Sequence, residues 1–299
     1  MRIRHHSVSD LPAILALLDR CSADRYEYIP PTADALVRRL ATEDLRILVA
    51  DDGARLLGSA ACHLGHWGEE IEWLVSTEGE SCGDVRDRLV AELEGQARDS
   101  RVSVRLDAVP TVLAEWRARG YLVDGGIFHL VADLTGRTSP PSLSPRLSAR
   151  SVEPRELDQV VEVVRSAYGW ERLTVDQIES WKTQYPPFDE RWILAIERAG
   201  RLVSIIVARP DGEYNDRHGA RRGYLGPAAT LPAHRRQGLA AFLAVRASDL
   251  LVAHGMRSAA AHVYETNTAS LALTRTLGFE VRHHWVYVRK TLDPAPPAF

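Results

Sequence analysis

The chain repeats itself, and that limits its architecture more than any other feature. Arg4, Leu11, Ile14, Leu17, Leu18 and Cys21 are matched by Arg150, Leu157, Val160, Val163, Val164 and Ala167. Each pair lies 146 positions apart (150 − 4 and 167 − 21 alike). A period this long is a whole domain and not a solenoid unit, and 299 residues accommodate two such domains.

The other elements recur in the same order. A helix over 32–41 corresponds to one over 174–184. Strand pairs at 45–50/55–63 and 191–197/202–209 turn around Asp51-Asp52-Gly53 and Ala199-Gly200. Strands at 71–75 and 224–230 lead into helices at 85–97 and 239–253, and each half closes on a strand, 127–134 and 285–292. Strands interleaved with helices predict two tandem mixed α/β domains, each a twisted sheet with helices packed on it. The predicted boundaries are 1–134 and 148–299, joined by a Pro/Ser-rich linker at 135–147.

The stretch 223–240, GYLGPAATLPAHRRQGLA, reads as an apolar strand, a proline turn and a basic, glycine-containing entry into a helix. The first N–H groups of a helix lack intrahelical partners, and its dipole is positive there, so such a junction suits an anion. Gly238 allows close approach to the backbone, and Arg235 and Arg236 supply charge.

Arg235-x-x-Gly238-x-Ala240 resembles the acyl-CoA pyrophosphate loop of the GNAT N-acetyltransferase superfamily. A second segment, NTASLALTRTLGF over 267–279, resembles that family's Asn-x-x-Ala/Ser…Leu-Gly-Phe motif, with Ser270, Leu273, Leu277, Gly278 and Phe279 in register. The resemblance is close over most of the second half and loose over the first. In the first half the loop position holds acidic residues, Glu78, Glu80 and Asp84, and Val109-Pro110 stands at the Asn position. Carboxylates there repel a pyrophosphate, so the first half reads as a degenerate copy and the second as the acyl-CoA-binding GNAT-like domain.

The resemblance implies that acetyl-CoA, as co-substrate, lies along Ala229, Thr230 and Leu231, with its pyrophosphate on Arg235, Arg236, Gln237, Gly238, Leu239 and Ala240 and with Asn267 nearby. A backbone N–H near Ala229 or Leu231 is placed to polarise the thioester carbonyl. It implies an acyltransferase, transferring acetyl to a primary amine of a small metabolite. A non-catalytic acyl-CoA sensor and a protein-lysine acetyltransferase remain alternatives.

Thr274 occupies the family's usual tyrosine acid position and is a poor acid. Tyr264 and Tyr287 are substitutes, and the base candidates are Glu213, Asp216, His218, Glu265 and the pair His283-His284. His262, Tyr264 and Thr266 share one face of their strand. Trp67, Trp73, Trp170 and Trp181 are candidates for an acceptor wall or for core.

A net charge of −3 with a pI near 6.4 gives no global attraction to nucleic acid. Three widely spaced cysteines read as free thiols, without metal spacing. No apolar run reaches membrane-span length, and MRIRHHSVSD lacks a signal-peptide core. The reading is a cytoplasmic monomer or homodimer acting on a small-molecule amine, without metal, membrane or nucleic acid.

Overall fold

The computed structural model describes residues 1–22, 32–42, 44–65, 68–79, 82–136 and 139–292. They form two compact units, Met1–Gly126 with His284–Phe299, and Ile127–His283.

The first unit contains β1 (Arg2–His5), α1 (Leu11–Ser22), α2 (Ala33–Thr42), β2 (Arg46–Asp51), β3 (Leu56–Gly65), β4 (Gly68–Ser76), α3 (Cys82–Gly95), β5 (Arg101–Asp107) and α4 (Pro110–Ala118). After β6 (Leu122–Asp133), the second unit runs through β7 (Ser148–Ser151), α5 (Leu157–Tyr168), α6 (Val175–Gln184), β8 (Ile193–Arg198), β9 (Arg201–Pro210), α7 (Gly212–His218), β10 (Arg222–Thr230), α8 (Leu239–Ala253), β11 (Ser258–Tyr264) and α9 (Thr268–Thr276). The final strand is β12 (Glu280–Thr291).

Each unit has the same sheet plan. β1, β2, β3 and β4 are antiparallel neighbours, β4 pairs parallel with β5, and β5 pairs antiparallel with β12. In the second unit β7, β8, β9 and β10 are antiparallel, β10 pairs parallel with β11, and β11 pairs antiparallel with β6.

The plan corrects the expected domain division at 134/148. The closing strands are exchanged: Ile127–Asp133 pairs with β11 of the second unit, and Trp285–Thr291 pairs with β5 of the first. The reason lies in the repeat. Both closing strands are runs of apolar and aromatic residues, Ile127-Phe128-His129-Leu130-Val131-Ala132 and Trp285-Val286-Tyr287-Val288, so either suits the same sheet edge, and such a run does not specify its partner.

The repeat also preserves a charge cluster. Arg4 bonds Asp10 at 2.7 Å and Asp51 at 2.8 Å, while Arg150 bonds Glu156 at 2.7 Å and Glu197 at 2.6 Å. All three positions are again 146 apart (156 − 10 and 197 − 51). Each cluster ties the first strand to the turn that starts the first helix and to the next strand.

Alternation along the strands sorts the first unit's core into two layers. Ile47, Val49 and Ala61 pack with α1 and Leu36, whereas Leu48, Ala50 and Cys62 pack with α3 residues such as Leu89. Trp73, a possible acceptor-wall residue, is buried in the first layer and donates to Ser59 Oγ at 3.2 Å. Trp67 lies outside the described residues, as does Glu80 of the acidic segment. In the second unit β9 is buried on both faces, with α5 and α8 packed against it.

Candidate active site

The site of interest arises where two neighbouring strands part. β10 pairs with β11 only over Arg222–Tyr224, opposite Ser258–Ala260. Beyond Tyr224, β10 carries an irregularity between Leu225 and Ala228, with Gly226 at φ +143° followed by Pro227. Proline has no N–H for the ladder, and few residues but glycine adopt that φ. The strand therefore leaves β11 but keeps β9, through Ala228↔Ile206 to Thr230↔Ser204. The parting opens a cleft of about 310 Å³, lined by Tyr168, Arg172, Arg209, Tyr224, His262, Tyr264, Asn267 and Thr274 among largely apolar neighbours.

At one end of β10 the chain turns through Pro232–His234 into α8. Arg236 at φ +63° and Gly238 at φ +75° hold left-handed conformations, and Gly238 is the residue before the helix. A left-handed residue among right-handed neighbours turns successive N–H groups into a concavity that suits anions. The first turn of α8 carries no acidic residue, in contrast to α3, which has Asp84 there.

Arg235 also serves the fold. Its Nε donates to Thr230 O (3.2 Å) and its Nη2 to Ala167 O (2.9 Å), which braces the turn against the end of α5. Arg236 and Gln237 are exposed, Leu239 is buried, and Ala240 reaches the cleft.

The backbone of β10 has two sides. Leu231 N–H donates to Val203 O at 2.9 Å, and Ala229 O accepts from Ser204 Oγ at 3.2 Å, so both residues address β9. Ala228 O accepts from Tyr168 Oη at 3.1 Å and Thr230 O from Arg235, both away from β9. Antiparallel ladders alternate in this way. The expected thioester-polarising N–H at Leu231 is therefore spent within the sheet, and alternation turns the N–H groups of Ala228 and Thr230 outward.

On the opposite wall, His262 and Tyr264 of β11 both line the cleft. His262 Nε2 lies 2.9 Å from Nδ1 of His129, its direct cross-strand neighbour on β6. His129 is 2 % exposed. The edge of the Tyr224 ring meets the His262 ring, with centroids 5.3 Å apart. Burial pushes the phenol pKa values of both Tyr224 and Tyr168 upward; nearby arginines pull the other way.

Asn267 caps α9 by accepting Ser270 N–H at 3.1 Å, and it lines the cleft. Thr274 also lines it, but its hydroxyl donates to Leu271 O at 3.1 Å.

The remaining sequence candidates lie elsewhere. The polar segment 209–222 contains the helix α7, which ends on Gly219 at φ +58°. Asn215 secures it by bonding both the N–H and the carbonyl of Arg222. Glu213, Asp216 and His218 are exposed on α7 and are not among the cleft-lining residues, nor is half-buried Glu265. Tyr287 and His284 belong to the first unit, and His283 does not line the cleft. Trp181 does line it, and Trp170 packs edge-on to Tyr168 at 6.5 Å. Sequence reasoning missed Tyr168, Arg172, Arg209 and Tyr224. Arg209 follows the apolar run of β9, and Tyr224 stands near the start of β10. Among the described residues no group of His, Cys, Asp and Glu could hold a metal ion, and no helix is long and apolar enough to cross a membrane.

Residues 157–279 match the model of the Acetyltransferase (GNAT) family. No curated protein matches the chain. Among solved structures, a GCN5-related N-acetyltransferase from Sphaerobacter thermophilus is 20% identical, with a TM-score of 0.73 and 99% of this chain and 96% of that one covered. A tandem GNAT protein from the clavulanic acid biosynthesis pathway is 16% identical, with a TM-score of 0.74 and 99% of both chains covered. A glucosamine N-acetyltransferase region of a fungal multi-domain GH3 beta-N-acetylglucosaminidase is 14% identical, with a TM-score of 0.75 over 97% of this chain and 38% of that one. At these identities the likeness is one of fold, and it establishes two tandem GNAT-like domains.

Proposed function

We propose that the second unit is an acetyl-CoA-dependent N-acetyltransferase acting on a primary amine of a small metabolite. The observation that carries the reading is the placement of His262. It faces the parted edge of β10, in the same cleft that runs to the start of α8. In this reading the α8 entrance, Arg236 to Ala240, receives the pyrophosphate, and the pantetheine arm takes the place of β11 beside Ala228, Thr230 and Asn267. The thioester then lies where the strands close, near Tyr224 and His262.

The chemistry follows from these positions. The amine nitrogen attacks the thioester carbonyl carbon, a C–N bond forms, and the C–S bond breaks. The His262 imidazole takes the amine proton. His129 supports the resulting imidazolium, because a protonated His262 donates from Nε2 to Nδ1 of His129. Ala228 N–H faces the carbonyl oxygen. The departing thiolate takes a proton from Tyr264 or from water, since Thr274 spends its hydroxyl on its own helix. A positioned base contributes on the order of 10²–10⁴-fold.

The test is amine-dependent release of CoA thiol from acetyl-CoA, measured from pH 5.5 to 9.5 for the native protein and His262→Gln. The expected result is a loss of 10²-fold or more in kcat/KM for the amine, removal of the acidic limb of the profile, and an unchanged dissociation constant for acetyl-CoA. An unchanged pH profile in the variant removes His262 from the mechanism. Binding without turnover on any amine supports a sensor instead.

A further inference from the structure

Two arginines in the cleft wall lack the carboxylate partners that anchor the buried or half-buried Arg150 and Arg222 of this unit. Arg150 and Arg222 are paired with carboxylates at 2.6–2.8 Å. Arg172 and Arg209 are also partly buried, yet among the described residues neither has an ion pair or a side-chain hydrogen bond within the chain. Among the described residues no aspartate or glutamate lines the cleft.

Both are held by aromatic rings. The guanidinium of Arg209 contacts the rings of both Tyr185 and Tyr224, with its carbon 4.0 and 4.5 Å from their centroids. That of Arg172 lies over Tyr168 at 4.6 Å and near Tyr264 at 5.7 Å. Stacking occupies the faces of a guanidinium and fixes its plane, and it leaves the in-plane N–H fork unused. A fork fixed in this way matches the two oxygens of a carboxylate or phosphate.

The position of Arg209 separates it from the phosphates of a bound CoA. It is the direct register partner of Tyr224, where β10 and β11 are still paired. Leu231, which opens the turn into α8, is seven residues further along, about 20 Å at the rise of a strand. An anion on Arg209 therefore lies at the end of the cleft away from the helix start, beyond the reacting carbonyl.

Building on the proposed acetyltransferase, we infer that its acceptor is an anionic amine. Arg209, seconded by Arg172, holds a carboxylate or phosphate borne by the same molecule whose primary amine is acetylated. The reaction is unchanged in balance: acetyl passes from sulfur to nitrogen, the amine loses one proton, and the acceptor's anionic group takes no part beyond binding. The arginines are specificity-determining residues, and they disfavour polycationic acceptors by direct repulsion.

The experiment uses matched acceptor pairs with the full chain: γ-aminobutyrate against butylamine, glycine against glycinamide, and phosphoethanolamine against ethanolamine. CoA release gives kcat/KM, and titration of each amine into the CoA-loaded protein gives binding without chemistry. The expected result is at least tenfold preference for one anionic member over its neutral partner, carried in KM. That preference falls toward unity in Arg209→Gln, is partly kept in Arg209→Lys, and weakens in Arg172→Gln, while acetyl-CoA affinity stays within twofold. Comparison of the carboxylate and phosphate pairs tells which anion is preferred.

Preference for the neutral members, or a preference that survives in both glutamine variants, overturns the inference. A loss of acetyl-CoA affinity in Arg209→Gln also overturns it, by assigning that arginine to the CoA phosphates. Arg209-dependent binding of an anionic amine without turnover upholds this inference while removing the proposed transfer reaction. Absence of anion-selective binding in the CoA-loaded protein overturns it whatever the turnover.

Discussion

Gly223 sets the distance between the helix that opens at the anion-suited turn and the strand that forms the cleft. A Cβ built there lies 2.3 Å and 2.6 Å from the two Cδ atoms of Leu251 and 2.9 Å from its Cγ. Leu251 is fully buried on α8, so it has no free space to swing into. Overpacking of this kind costs about 1–3 kcal/mol, offset by up to ~1 kcal/mol from replacing a glycine in a strand. Gly223→Ala is therefore expected to destabilise α8 by about 1–2 kcal/mol. Leu251→Ala alone leaves a cavity and costs about 2–5 kcal/mol. In the double variant the new methyl fills part of that cavity, so its cost falls short of the sum by at least ~1 kcal/mol. The assay is native-state hydrogen exchange at the α8 amides, which reads the local opening free energy without assuming that the two units unfold together. Additivity within ~0.5 kcal/mol, the behaviour of sites that do not touch, refutes the claim that this contact sets the α8–β10 spacing.

Three further outcomes are expected. Glu156 accepts two bonds from Arg150 and one from Glu153 N–H, and these hold its carboxyl at about 2 against an ordinary 4.5. Because the folded value is the lower one, its stabilisation is complete above pH 4.5 and disappears as the pH falls toward 2. At 1.36 kcal/mol per pKa unit the upper bound is about 3 kcal/mol. Screening of Arg150, whose side chain is a third exposed, reduces this to about 1–2 kcal/mol. Glu156→Gln should thus be less stable than the native chain at pH 7 in urea unfolding, with a gap that shrinks below pH 4.5 and closes only as the pH passes below about 2; a gap that does not change with pH contradicts the assignment. His129→Asn, which removes the partner of His262 Nε2, is expected to lower kcat about tenfold and shift the acidic limb of the pH–rate profile while leaving acetyl-CoA affinity alone. An unshifted limb makes His129 purely structural. Thr274→Val should leave kcat within twofold, because that hydroxyl already serves Leu271 O; a hundredfold loss restores it as the acid.

Much of this was legible in the sequence, and the boundary of legibility has a physical cause. The repeat, the order of elements and the Gly238 junction depend on local pattern: apolar periodicity, turn chemistry and one left-handed residue. The charge clusters at Arg4 and Arg150 follow the repeat too. The strand exchange is invisible, because a closing strand built of a short apolar and aromatic run suits either sheet. That exchange hides the site as well. His129 comes from a segment that the repeat assigns to the first half, and it reaches His262 only because β6 pairs with β11. Glu213 attracted notice as a carboxylate in a polar stretch, but a stretch closed by Gly219 and stapled by Asn215 folds into an exposed helix instead. Arg209 and Tyr224 become neighbours through cross-strand register, which no single strand displays.

The central claim is that acetyl-CoA binds the second unit alone, with its pyrophosphate on the α8 entrance. The direct measurement is calorimetric titration of acetyl-CoA into the native chain and into Gly238→Asp. Aspartate tolerates the left-handed region better than most side chains, and its charge is favourable at a helix start, so the variant should fold while repelling a pyrophosphate. The account predicts one site per chain in the native protein and none in the folded variant. Two sites, or binding that survives the substitution, contradicts it.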